Sequence, residues 1–236
     1  KTGWINSNEF VHSTPRDFGK NSVLCVACHA GNTPETVAAA KLGKESGAAV
    51  VLLTYQEESE IAAFADYLLL YSFDSSSSAH TGDMDYAGEK TQCALQLAVE
   101  LVNDTEGYAH YDAFYQGVER IGGIIRKARE QVADRAKAFA QEYKNDSFLY
   151  TMGSGASWAS AYMESICIFM EMQWIHSACI HTGEYFHGPF EVTDCNAGFV
   201  VQIAEGSDRE LDERCLRFLK KYAKRFEVLD AKELGL

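Results

Sequence analysis

The chain is short of positive charge. Twenty-one Lys and Arg stand against 34 Asp and Glu over 236 residues, a net charge of -13 with a pI near 4.9. That balance argues against nucleic acid or an anionic membrane as the partner. A small anion such as a sugar phosphate remains allowed, because backbone N–H groups at a helix N-terminus outweigh diffuse negative charge at close range. A long uninterrupted hydrophobic run is also lacking. The most apolar stretch, residues 156–180, still contains two Glu, a Gln and a His, so a core helix is expected there and not a membrane span.

Seven cysteines, an odd number, are scattered at 25, 28, 93, 167, 179, 195 and 215. This usage suits the reduced thiols of a cytoplasmic protein. Cys25 and Cys28 form a CxxC without a second one. The pair lies in the strand-like run Val23-Leu24-Cys25-Val26-Ala27-Cys28, so buried strand residues are expected and not zinc or redox chemistry. His176, His181 and His187 are spaced by five and six, which does not bring them to one helical face, and no metal is expected. No secretory signal is read at the N-terminus. Lys1 in place of Met, and an end close behind Val228-Leu229, predict a chain truncated at both ends.

The first half alternates strand and helix. Val23–Cys28 is a short apolar strand, and Thr33 before Pro34 predicts a helix N-cap with proline at the first helical position. The helix is expected to stop near Gly47. Residues 48–54 form a second, fully apolar strand, a short helix with Ile61 and Phe64 follows, and a third strand runs over 67–73. This βαβαβ order predicts a parallel sheet. Ser75 to Ser78 and Gly82 mark a loop before a helix over about 85–101. Apolar residues at 121, 124, 125, 128, 132 and 139 then predict an amphipathic helix over 113–143, loosened at Gly122-Gly123. The second half repeats the scheme: a strand at 148–152, a Gly153-Ser154-Gly155 turn, a buried helix from 157 to 176, a strand at 199–203, a helix over 211–222 and a strand at 226–229. The expected organisation is two α/β subdomains, 1–112 and 147–236, joined by a connecting helix at 113–146.

Two segments carry chemistry. The turn from His29 to Thr36 joins a buried strand to a helix N-terminus and presents N–H groups that suit phosphate. It matches neither the GxxxxGK[ST] pattern nor GxGxxG, and Gly153-Ser154-Gly155 lacks the third glycine of a dinucleotide site. The second segment holds Glu164 and Glu171. Seven residues are nearly two α-helical turns, so both carboxylates are expected within about 20° of one face. Burial in that apolar run would desolvate the Glu171 carboxyl and couple it to Glu164. Gly183-Glu184-Tyr185-Phe186-His187-Gly188-Pro189 then sets a histidine at a turn, and a desolvated carboxyl beside an imidazole is equipment for moving protons.

These residues resemble a known family. Ala30-Gly31-Asn32-Thr33-Pro34-Glu35-Thr36 looks like the phosphosugar loop of the SIS (sugar isomerase) family. Tyr162-Met163-Glu164, Glu171, His176 and the run from Gly183 to Pro189 are similar to the isomerase domain of glucosamine-6-phosphate synthase, and most of all to the fructoselysine-6-phosphate deglycases. The resemblance covers nearly the whole chain. It implies an α/β fold of two SIS-type αβα subdomains with parallel, flavodoxin-like, doubly wound sheets. It implies that Glu171 shuttles a proton between C1 and C2, and that His187, supplied in some relatives by a neighbouring subunit, assists at the substrate oxygens. Glu164 would support the same pocket, Gly153 and Ser154 would touch substrate, and Cys28, His29, Ala30 and Thr33 would cradle the phosphate. Here Cys28 and Ala30 stand where the family offers serine, which leaves that cradle to backbone N–H groups and Thr33. The family's N-terminal segment and its C-terminal tail with a lysine are absent from this sequence.

The implied reaction is deglycation of a fructosamine 6-phosphate, with neither metal nor cofactor, by a homodimer or higher homo-oligomer. An aldose–ketose isomerase and a sugar-phosphate-binding regulatory module are the alternatives. Glu164 also has a structural reading, as a carboxylate that pairs a buried group.

Overall fold

The computed structural model describes residues 2–71 and 90–235. The chain divides into two compact units, Lys1–Gly122 and Gly123–Leu236. Each has its own parallel sheet.

In the first unit, strands β1 (Val23–Ala27), β2 (Ala49–Thr54) and β3 (Tyr67–Leu70) pair in that order, Val26 opposite Leu52 and Leu53 opposite Leu69. Helix α1 (Ser7–His12) precedes them, and α2 (Pro34–Glu45) is the crossover between β1 and β2. Its alanine-rich face lets it lie close to the strands: Val37 and Ala40 pack with Val26, Val50, Leu52 and Ile61. A short 3-10 turn, Glu60–Phe64, brings Ile61 into this core. The expected strand at 67–73 is seen from Tyr67 to Leu70. The serine loop at 75–78 with Gly82, and the first residues of the helix expected over 85–101, lie outside the described residues. That helix, α3, is described over Lys90–Thr105, and α4 over Tyr111–Tyr143. The Gly122-Gly123 pair does not interrupt α4.

The second unit holds four parallel strands in the order β5-β4-β6-β7. They are β4 (Phe148–Gly153), β5 (His176–His181), β6 (Gly198–Ile203) and β7 (Arg225–Asp230). Period-two alternation along β6 sends successive residues to opposite cores. Phe199, Val201 and Ile203 pack with Met152, Cys215 and Leu219 beneath α6 (Arg209–Tyr222). Val200 packs instead with Leu149, Phe169 and Tyr143. The chain ends in a short helix, α7 (Ala231–Leu234).

Strand β5 corrects the helix expected from 157 to 176. Only Trp158–Met163 (α5) is α-helical; Glu164–Met172 is π-helical, and the winding stops at Gln173. Trp174 adopts φ 58° and is 89% exposed, and the chain turns there into β5. His176 is exposed at the first position of β5. The segment is not wholly buried either: Met163, Ile166, Ile168, Met170 and Met172 are all exposed large apolar residues. No helix among the described residues is long and apolar enough to cross a membrane. No disulfide is formed among the described residues; Cys28 is buried as expected, while Cys25 is exposed.

Candidate active site

The carboxyl ends of parallel strands gather loops at one edge, the usual place for a site in such sheets. In the first unit that edge carries Cys28, His29, Ala30 and Thr33 between β1 and α2. Gly31, at φ +71°, makes the turn, and a Cβ there would meet Ser59 Cβ and Oγ at 2.3 Å. Thr33 is the N-cap by position, but its hydroxyl makes no capping bond to α2. Cys28 is buried and its N–H donates to Leu53 O at 3.0 Å, so its thiol packs in the core and does not reach a ligand. His29 is exposed and fixed from several sides. Its Nδ1 and the Tyr71 hydroxyl share a hydrogen bond at 2.6 Å, its carbonyl accepts from Thr54 Oγ1 at 2.9 Å, and its ring lies 4.5 Å from that of Tyr55. Burial, and then the charge of Lys90, hold the His29 imidazole below its ordinary pKa. Lys90 was not foreseen: sixty residues of sequence hide its position at this edge.

In the second unit, Glu164 is partly buried. Its Oε2 accepts from Gln202 Nε2 at 2.7 Å, and the Gln202 side-chain oxygen in turn accepts from Ser160 Oγ. Burial pushes Glu164 above its ordinary pKa, and the Gln202 bond pulls part of the way back. Glu171 is exposed, which corrects the expected burial of that residue. The winding explains it. Hydrogen bonds to the fifth residue widen each turn, so seven residues make about one and a half turns and the two carboxylates point apart.

Gly153 ends β4 and Ser154 follows it. Both are buried, and Ser154 is engaged within the protein: its Oγ donates to Asp212 Oδ1 at 2.7 Å. Thr182 Oγ1, at the end of β5, donates to the same oxygen at 2.7 Å. Burial raises the Asp212 carboxyl, while these two hydroxyls oppose the rise. The Ser154 hydroxyl is therefore not aimed at a ligand.

His187 closes the 3-10 turn Tyr185–His187 and is exposed, with Gly188 at φ +143° behind it. Its neighbours fix the turn. Tyr185 is fully buried and its hydroxyl bonds Thr193, while Phe186 packs edge-on against Phe218 beneath the Arg214 guanidinium. The anchors go inward and the imidazole stays outside.

No family model matches the chain. It is 39% identical to fructosamine deglycase FrlB of Bacillus subtilis over 227 residues, 96% of this chain and 67% of that protein. The chain belongs to the fructosamine deglycase family. The fructoselysine 6-phosphate deglycase of Escherichia coli K12 is 24% identical over 99% of this chain and 65% of its own length. A crystal structure from Salmonella typhimurium LT2, which carries a phosphosugar isomerase assignment, superposes with a TM-score of 0.93 and 44% identity over 99% of this chain and 68% of that one. The α/β fold with parallel sheets is thus that of the sugar isomerases. The chain spans about two thirds of the length of these deglycase relatives.

For a deglycase-family chain, the candidate residues fall in two sets: Cys28, His29, Ala30 and Thr33 in one unit, and Gly153, Ser154, Glu164, Glu171 and His187 in the other. Asp212 was missed, yet the sequence holds its signal. It shares the apolar stripe of α6 with Cys215 and Leu219, where an acid needs partners. Among the described residues, no group of three or more His, Cys, Asp or Glu could hold a metal ion.

Proposed function

We propose that this chain is the two-unit core of a deglycase that cleaves fructosamine 6-phosphates, such as fructoselysine 6-phosphate, to glucose 6-phosphate and an amino acid. The observation that carries the reading is the 39% identity to a fructosamine deglycase across 96% of the chain. In this reading the phosphate sits on the His29–Thr33 turn and the α2 N-terminus, with Lys90 supplying the charge that serines do not.

A base removes a proton from C1 of the ketoamine, giving an enaminol. Return of the proton to C2 gives an aldimine, and water adds at C1 to release the amine. Glu171 is the proposed carrier of that proton, His187 the group that serves the sugar oxygens, and Glu164 a second carboxyl supporting them. Glu171 stands among the exposed apolar residues Tyr162, Met163, Ile166, Met170 and Met172. A second copy of the chain laid on that surface would supply the desolvation the single chain withholds, which supports a homodimer. Scattered cysteines that form no disulfide among the described residues support a cytoplasmic setting.

The test is glucose 6-phosphate release from fructoselysine 6-phosphate by the wild type, Glu171→Gln and Glu164→Gln. Glu171→Gln is expected to bind sugar phosphate and lose turnover. Full turnover in that variant, with loss in Glu164→Gln, moves the proton carrier to Glu164. Turnover only of free fructose or glucosamine 6-phosphate makes the protein an isomerase, and binding without any turnover makes it a regulatory module.

A further inference from the structure

Asp212 is 1% exposed and comes from α6, which contributes nothing else to the proposed chemistry. Its Oδ1 accepts from two hydroxyls that stand side by side. Gly153 pairs with His181 as the last register pair of β4 and β5, so Ser154 and Thr182 are the next step on each strand. The Thr182 N–H still donates to Gly153 O at 3.1 Å. Beyond these residues the chains part: Ser154 leads into α5 and the π-helical segment with Glu164, and Thr182 leads into the turn with His187. Cys215 Sγ adds a bond to Thr182 O at 3.4 Å. Asp212 Oδ2 is buried and makes no hydrogen bond among the described residues. The other ionisable groups around this knot are Cys215, His181, whose Nδ1 accepts from Gly183 N–H at 3.1 Å, and Asp208, whose carboxyl lies against Gly155.

We infer that Asp212 is a positioning residue: through one carboxylate oxygen it ties the two strand ends together and thereby sets where the His187 turn sits relative to the Glu164 helix. The inference rests on the proposed role of His187. A carboxyl buried at the base of both loops is costly, and two hydroxyls alone could have been satisfied by backbone carbonyls. What the carboxylate adds is one shared point that neither loop can leave independently.

The test uses the full chain, with kcat, KM and the pH–rate profile measured on fructoselysine 6-phosphate for Asp212→Ala, Asp212→Asn, Thr182→Val and His187→Ala. Asp212→Ala is expected to lower kcat at least tenfold with KM within about twofold, and to lose the same limb of the profile that His187→Ala loses. Asp212→Asn keeps an acceptor and should recover that limb. A merely unfolded fraction scales the profile without changing its shape. If Asp212→Ala does not fold, Thr182→Val, which cuts one tie, is judged by the same criterion. A wild-type profile in the folded Asp212 or Thr182 variants while His187→Ala is inactive overturns the inference. A fully active His187→Ala overturns the reading of His187 instead.

Discussion

Gln202 Nε2 donates to Glu164 Oε2 at 2.7 Å, and this is the only hydrogen bond described for a carboxyl that burial otherwise drives toward its protonated form. In the folded state Glu164 therefore holds its proton to higher pH than in the unfolded chain. Where the native state binds more protons, stability falls as pH rises, starting near the ordinary glutamate value of about 4.3. Wild type should lose stability relative to Glu164→Gln as pH rises above about 4, and Gln202→Leu should deepen the loss. Denaturant midpoints across that range decide it, and parallel curves would show that Glu164 is not desolvated.

Asp230 behaves in the opposite sense. Arg209 grips both its oxygens, at 2.9 and 2.6 Å, and holds the carboxyl below the usual range. That contribution is present above the ordinary aspartate pKa and fades as pH falls through the lowered one. Arg209→Leu should lower Tm at pH 7, and the gap to wild type should close below about pH 4. A gap that is constant with pH would assign the effect to lost packing.

Lys90 and His29 share the edge proposed for the phosphate. Lys90→Ala should weaken glucose 6-phosphate binding about tenfold, the scale of one charge-assisted bond. It should also raise the His29 pKa, since Lys90 depresses it. Titration calorimetry and the His29 NMR shift measure the two effects. An unchanged imidazole would separate the residues.

Gly31 needs both its backbone conformation and its lack of a side chain, because φ is +71° and a Cβ would strike Ser59. Gly31→Ala should cost about 2 kcal/mol or more, and Ser59→Gly should restore only the part due to the clash. Chemical denaturation of the two single variants and the double variant separates the terms.

The first unit was legible because its strands are short apolar runs closed by turn residues, and because Thr33-Pro34 announces α2. Around residue 170 the same reasoning failed. A segment apolar on nearly every side has no phase, so neither the π winding nor the strand from His176 could be seen in it. An α-helical projection then placed Glu171 beside Glu164. The turn around His187 was readable from its residues, but the roles of Tyr185 and Phe186 as inward anchors depend on α6, far along the chain. Asp212 was readable in principle as an acid on an apolar stripe.

Trp174 sets a bulky side chain in a backbone conformation that glycine adopts without penalty, at a cost of roughly 1 kcal/mol or more. Folding of this unit would be served better by glycine there, since the indole gains almost no shelter from water. Neither backbone preference nor burial therefore accounts for tryptophan at this position.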